Sequence, residues 1–321
     1  MPGSQSPTGN HPAASRVGLF GDLPTRALHH VLVIVPWFLE PVLIRFWTAV
    51  FFLLAGSQRR AVASNLRALH PHWSAPRALH GAWRVFLNFA TTYTDALRCE
   101  TTTGALDWEI DGIDAFRELA APGPGRIVLT AHMGNYDIAA PAFAAKFGRV
   151  LHTVRAPERE PATQAMREKR IRQNEAIHPN FRTLYNTGDA MLGVELARLL
   201  GDGQIVAVQG DRVIFDVSPM DVEVRPGLIM RLPKGPLTLA RVTGAPCHPL
   251  FITRTGWRRY RITVRPAIAM PARHRGESDA PAAAIWAAAV FDIIRNHWDQ
   301  WFVFEPLLFP MPLQERGQLA G

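Results

Sequence analysis

The chain reads as an α/β protein with a mixed, mostly parallel sheet flanked by helices, preceded by an apolar, membrane-anchoring helical segment. Three observations predict this. From about residue 106, strand-like and helix-like runs alternate. Several strand-like runs, such as Ile127-Val128-Leu129-Thr130 and Ile205-Val206-Ala207-Val208, are apolar on both faces, as strands covered by helices on both sides must be. Residues 27–56 are the most hydrophobic stretch, yet no unbroken apolar run there reaches the roughly 18–20 residues of a spanning helix.

Residues 1–26 open with polar, Pro/Gly/Ser-rich sequence that predicts disorder, with no secretory signal. Residues 27–57 form the membrane-associated segment. Val31–Leu39 and Phe46–Leu54 are apolar, but Pro36, Glu40, Pro41 and Arg45 interrupt them. A kinked anchor or re-entrant hairpin is therefore expected, with Trp37 and Trp47 suited to an interface; a buried helix pair of a soluble protein is the alternative. The basic run Arg59-Arg60-Ala61-Val62 follows and would lie on the cytoplasmic face. Over residues 75–98, Leu79, Trp83, Phe86, Leu87, Ala90 and Tyr93 recur at helical spacing and predict an amphipathic helix packed on the body. Strands are expected at 106–110, 126–131, 149–154, 204–209, 246–253 and 259–264. Helices are expected at 112–121, 137–147, 161–177, 188–200, 235–243 and 281–300. Residues 213–233 read as a loop or hairpin over the site. One domain thus spans 58–310, with a tail at 311–321.

Hydrophobic residues make up 48% of the 321 and charged residues 19%, which suits a large core or a membrane face. The net charge of +8 is carried by arginine, since Lys146, Lys169 and Lys234 are the only lysines. Such a balance fits an anionic membrane surface, a nucleic acid or an acidic protein. No nucleic-acid recognition module accompanies it, so no nucleic-acid partner is expected. The two cysteines, Cys99 and Cys247, and the scattered histidines show no metal-ligand spacing, so neither a metal nor another cofactor is expected.

The most informative segment is Ala131-His132-Met133-Gly134-Asn135-Tyr136-Asp137. It joins a buried strand to a helix, and strand ends of open α/β sheets are where active sites collect. On one regular helix, residues five apart are about 140° apart and do not face each other. The reading therefore places His132 on the turn, with Gly134-Asn135 bending the chain so that Asp137 reaches the imidazole. A carboxylate on one ring nitrogen fixes the tautomer and makes the other nitrogen a better base. The pair is then a catalytic triad without a protein nucleophile, whose place a substrate hydroxyl takes. Simple helix capping by Asp137 is the competing account. Arg155 closes the next strand, and Asp211-Arg212 close the strand at 204–209, so both ends converge on one cleft. Lys234-Gly235-Pro236 begins a helix whose N-terminus suits an anion.

In order, the set is HxxxxD after a strand, an Arg after the next strand, Asp-Arg after a later one, Pro-x-Gly-Pro and Gly-Ala-Pro-x-x-Pro. With Arg59-Arg60-Ala61-Val62, Asn65-Leu66 and the closing Asn296-His297-Trp298-Asp299-Gln300-Trp301-Phe302, it resembles the bacterial lipid A biosynthesis acyltransferase family, within the glycerolipid acyltransferase superfamily. It is also similar to the phosphatidylinositol mannoside acyltransferases. The resemblance covers roughly residues 30–305. It implies a glycerolipid acyltransferase-like fold and transfer of a fatty acyl group from acyl carrier protein or acyl-CoA to a hydroxyl of a membrane lipid or glycolipid. The expected location is the cytoplasmic face of the inner membrane. It implies His132 and Asp137 as the catalytic pair, and Gly134, Asn135, Arg155, Asp211, Arg212, Lys234 and Gly235 as substrate contacts. Many lipid A enzymes carry Glu at the acidic position. Asp137 is nearer the superfamily pattern and the mannoside enzymes. A non-catalytic lipid-binding protein on the same fold is the alternative function.

Overall fold

The structure is a computed structural model that describes residues 31, 34–36, 38–101, 106–158, 161–188, 191–213, 219–270 and 278–311. The expected disordered N-terminus, three residues of the first apolar run (32, 33 and 37) and nearly all of the tail lie outside these residues.

Among the described residues, three helices precede the sheet: α1 (Glu40–Leu54), α2 (Gly56–Leu69) and the 27-residue α3 (Ala75–Thr101). The alternating part then runs β1 (Asp107–Asp111), α4 (Ile113–Ala120), β2 (Arg126–Thr130), α5 (Tyr136–Ala144), β3 (Leu151–Arg155), α6 (Pro161–Ile177), β4 (Phe181–Tyr185), α7 (Met191–Gly201) and β5 (Ile205–Gln209). It continues with β6 (Pro219–Arg225), β7 (Leu228–Pro233), α8 (Gly235–Thr243), β8 (Cys247–Gly256), β9 (Arg259–Val264), α9 (Ala280–Asn296) and β10 (Leu308–Pro310).

Seven strands form the main sheet in the order β1-β9-β8-β2-β5-β3-β4, and every neighbouring pair is parallel except β8 with β9. The mostly parallel α/β expectation is met. The region expected as a loop or hairpin is the antiparallel hairpin β6–β7, which β10 extends to a second, three-stranded sheet. Strand β4 was not expected from the sequence: Phe181-Arg182-Thr183-Leu184-Tyr185 has only one fully buried residue and lies at the sheet edge.

Strand β2 is buried along its whole length because helices cover both its faces. Its side chains alternate. Ile127 and Leu129 pack with α8 and α9 residues such as Leu237 and Trp286. Val128 packs on the other face with Ala139 and Phe143 of α5 and with Phe116, Phe147 and Phe181.

Helix α1 is two-faced. Glu40, Ile44 and Thr48 are buried, and Glu40 is ion-paired at 3.1 Å with Arg98 of α3. Val42, Phe46 and Leu53 are exposed and lie within about 40° of one another around the axis. Among the described residues no single helix is long and apolar enough to cross a membrane; α1 and α2 reach the required length and hydropathy only together, across a 95° bend. A clean span is thus absent from the described residues.

Candidate active site

His132 is two residues past the end of β2, and Asp211 is two residues past the end of β5. The two strands are parallel neighbours with Thr130 opposite Gln209, so the same register carried forward sets 132 beside 211. The imidazole Nδ1 lies 2.7 Å from Asp211 Oδ1. The other carboxylate oxygen, Oδ2, accepts the His132 backbone N–H at 3.0 Å and the indole N–H of Trp301 at 3.0 Å. Asp211 is completely buried and His132 nearly so. Burial opposes ionisation of Asp211, but the facing His132 ring and the three donors outweigh it and hold the carboxyl below its ordinary value. Among the described residues, His132 Nε2 has no hydrogen-bond partner, and the Tyr136 ring stands edge-on to the imidazole at 5.9 Å.

This corrects the expected pairing of Asp137 with His132. Asp137 lies in the first turn of α5 and reaches toward β3 and α6, where Arg155 Nη1 donates to its Oδ1 at 2.5 Å and Arg167 approaches at 3.7 Å. Burial raises the Asp137 carboxyl, but the two guanidiniums prevail and hold it at about 2. Arg155 is correspondingly raised. Arg167 also pairs with Glu158 at 2.6 Å. This makes a network of two carboxylates and two guanidiniums that ties α5, β3 and α6 together. The sequence brought Asp211 to the same cleft as His132, but as a substrate contact; its pairing with the imidazole comes from a strand-to-strand register, whereas the sequence spacing favoured the local carboxylate.

The turn itself depends on Gly134. Its φ is +54°, and a Cβ there would collide with the Ile252 carbonyl. Asn135, expected to meet substrate, is turned inward. It is buried and donates to the Thr92 carbonyl of α3 at 3.3 Å. Phe302 N–H donates to the His132 carbonyl at 2.8 Å, and Trp301 bridges Met133. The C-terminal segment is therefore part of the site, through Trp301, which the sequence offered only as a motif letter.

Arg212 is ion-paired with Glu305, at 3.3 Å. Lys234 and Gly235 are exposed at the start of α8, and among the described residues no hydrogen bond or ion pair links them to His132 or Asp211. Arg155 is brought to the site, Arg212 to its flank, and Lys234 and Gly235 are not gathered into it. Among the described residues no cluster of His, Cys, Asp or Glu could hold a metal ion.

Beneath α5 lies a narrow cavity of about 100 Å³. Phe116, Phe143, Phe147, Phe181, Leu250 and Ile252 make its apolar walls. Its polar fringe is Thr130, Tyr136, Asp137, Arg155 and Gln209. Tyr136 borders both the cavity and the imidazole. Val128 and Thr130 of β2, and Ala207 and Gln209 of β5, line it. His132 and Asp211 continue those two alternating rows.

Geometrically, the arrangement is an oriented imidazole beside a narrow apolar slot, and among the described residues no hydroxyl or thiol is bonded to it. Such a site can activate a hydroxyl that arrives with a substrate. Among curated proteins no significant match to the chain was found. A family model for bacterial lipid A biosynthesis acyltransferases matches residues 25–309, most of the chain. The chain therefore belongs to the bacterial lipid A biosynthesis acyltransferase family and is an acyltransferase, with an acyl donor and a lipid acceptor as its substrates.

Proposed function

We propose that the protein moves a fatty acyl group from a thioester, on acyl carrier protein or CoA, to a hydroxyl of a membrane lipid or glycolipid, with His132 as general base. The observation that carries this is the buried 2.7 Å contact between His132 Nδ1 and Asp211, which leaves Nε2 as the proton acceptor. Nε2 removes the proton of the acceptor hydroxyl as its oxygen attacks the thioester carbonyl. Asp211 stabilises the imidazolium that forms. Backbone N–H groups at the start of α5 stabilise the oxyanion; one such donor is typically worth about 2.7–4 kcal/mol. The tetrahedral intermediate then expels the thiolate, which takes the proton back from the imidazolium. No acyl-enzyme forms.

The slot beneath α5 suits the acyl chain, being apolar in its walls and one ring away from the imidazole. The Asp137, Arg155 and Arg167 network, at its fringe, holds the slot's mouth in shape. The exposed apolar face of α1 lies in the membrane interface, on the cytoplasmic side, with Arg59 and Arg60 beside it.

The test is mass spectrometry of total lipid with and without the gene, followed by transfer from palmitoyl-acyl carrier protein or palmitoyl-CoA by the purified protein. The reading expects one lipid class to lose one acyl chain in the deletion and to regain it in vitro. An unchanged lipid profile with no transfer from either donor would overturn it.

A further inference from the structure

The segment that follows α9 touches both members of the dyad. Trp301 Nε1 donates to Asp211 Oδ2 at 3.0 Å, Phe302 N–H donates to the His132 carbonyl at 2.8 Å, and Trp301 forms an isolated antiparallel bridge with Met133. Asp211 Oδ2 otherwise accepts one bond, from the His132 backbone. Remove the indole N–H and the carboxylate keeps two bonds, both to the residue it is meant to orient. We infer that Trp301 is a positioning residue: its indole N–H locks the Asp211 carboxylate, and through it the His132 ring, in the geometry for proton transfer. The inference rests on the general-base reading proposed above.

The surroundings support a role beyond filling space. Trp301 is 3% exposed, so its N–H must find a partner, and it finds a carboxylate buried at 0% exposure. A hydrogen bond to a charged acceptor is among the stronger kinds. The segment is fixed from outside the site. The Gln300 side chain accepts the Arg254 N–H at 2.6 Å and donates to the Arg254 carbonyl at 2.9 Å. Asn65 of α2 donates to the Glu305 carbonyl at 2.8 Å and accepts the Leu307 N–H at 3.0 Å. A second indole, Trp286, donates to the adjacent Gly210 carbonyl at 3.0 Å. It supplies a control, because it holds the same strand end without touching the carboxylate.

The experiment compares wild type, Trp301→Phe, Trp286→Phe and a protein carrying 3-benzothienylalanine at position 301, which keeps the indole's shape but has no N–H. Rates are measured with palmitoyl-acyl carrier protein as donor and total lipid from the gene-deleted strain as acceptor. The downfield imidazole N–H proton, assigned by its loss in His132→Ala, is followed by NMR. Trp301→Phe and the benzothienyl protein should lower kcat about tenfold or more, with KM within about twofold, and should shift or broaden the downfield proton. Trp286→Phe should keep kcat. In an Asp211→Asn background, Trp301→Phe should cost no further activity, because its route to the base is gone. The inference is overturned if the benzothienyl protein keeps wild-type kcat and an unchanged resonance. It is also overturned if Trp286→Phe loses kcat equally, or if Trp301→Phe costs as much without Asp211. Should wild type transfer no acyl group, the general-base reading fails, while the resonance still reports whether Trp301 fixes the ring.

Discussion

His132 and Asp211 stand 79 residues apart in sequence and 2.7 Å apart in space. The histidine was legible because an apolar strand ends just before it and a glycine bends the chain after it. Asp211 was legible at the same cleft but not as its partner, because parallel register is a long-range property that no local spacing reveals. Asp137, five residues on, is bonded to Arg155 and close to Arg167, so its loss should act through the cavity wall rather than through the imidazole. Asp137→Asn should therefore cost activity mainly as a raised donor KM, while Asp137→Glu, whose longer carboxylate still reaches both guanidiniums, should cost less. Steady-state kinetics of the two variants check this. A fall in kcat alone for Asp137→Asn would return Asp137 to the chemistry.

Among the elements, strands β1, β2, β3, β5, β8 and β9 and helices α4 to α9 were legible within a few residues: β2 and β5 as continuous apolar runs, β1 by its alternation, and the rest by their place in the strand–helix succession. Strand β4 at the edge and the three-residue β10 were not, because neither carries enough buried side chains to show a pattern. Helix α1 is where composition could not choose between anchor and core. The fold gives it one buried face, closed by the Glu40–Arg98 ion pair, and one exposed apolar face. Phe46→Glu combined with Leu53→Glu should leave the fold intact, since both side chains are exposed, and should release the protein from anionic vesicles. Flotation of the double variant beside wild type is the measurement. Equal flotation would place membrane contact elsewhere.

At the scale of the whole molecule, the arginine surplus has a partly structural explanation. Arg126 donates to the Leu119 and Ala121 carbonyls at the end of α4, as does Arg149, and Arg225 caps the Ala68 and Leu69 carbonyls at the end of α2. Composition alone suggested an anionic partner, and these side chains are committed to helix ends instead. His248 on β8 is a second global feature. It is completely buried, neither ring nitrogen has a partner among the described residues, and burial pushes its pKa down to about 4. The unfolded chain therefore binds the extra proton between about pH 6.5 and 4 while the folded chain does not, so stability falls as pH drops through that window. The size is about 3 kcal/mol at full protonation. The low-lying Asp137 carboxyl acts lower, its contribution being lost only as pH falls from about 4 toward 2. Thermal unfolding of His248→Leu should be flatter between pH 6.5 and 4.5 than that of wild type. An unchanged slope would assign the acid sensitivity to other groups.

In the proposed reaction His132, oriented by Asp211, takes the proton of a lipid hydroxyl. The most direct measurement is single-turnover acyl transfer from palmitoyl-acyl carrier protein by wild type, His132→Ala and Asp211→Asn, each shown folded by circular dichroism. Both variants should lose about a hundredfold or more in rate, the span that general-base catalysis supplies, and the double variant should be no slower than His132→Ala alone. Asp211→Asn transferring the acyl group at the wild-type rate would contradict it.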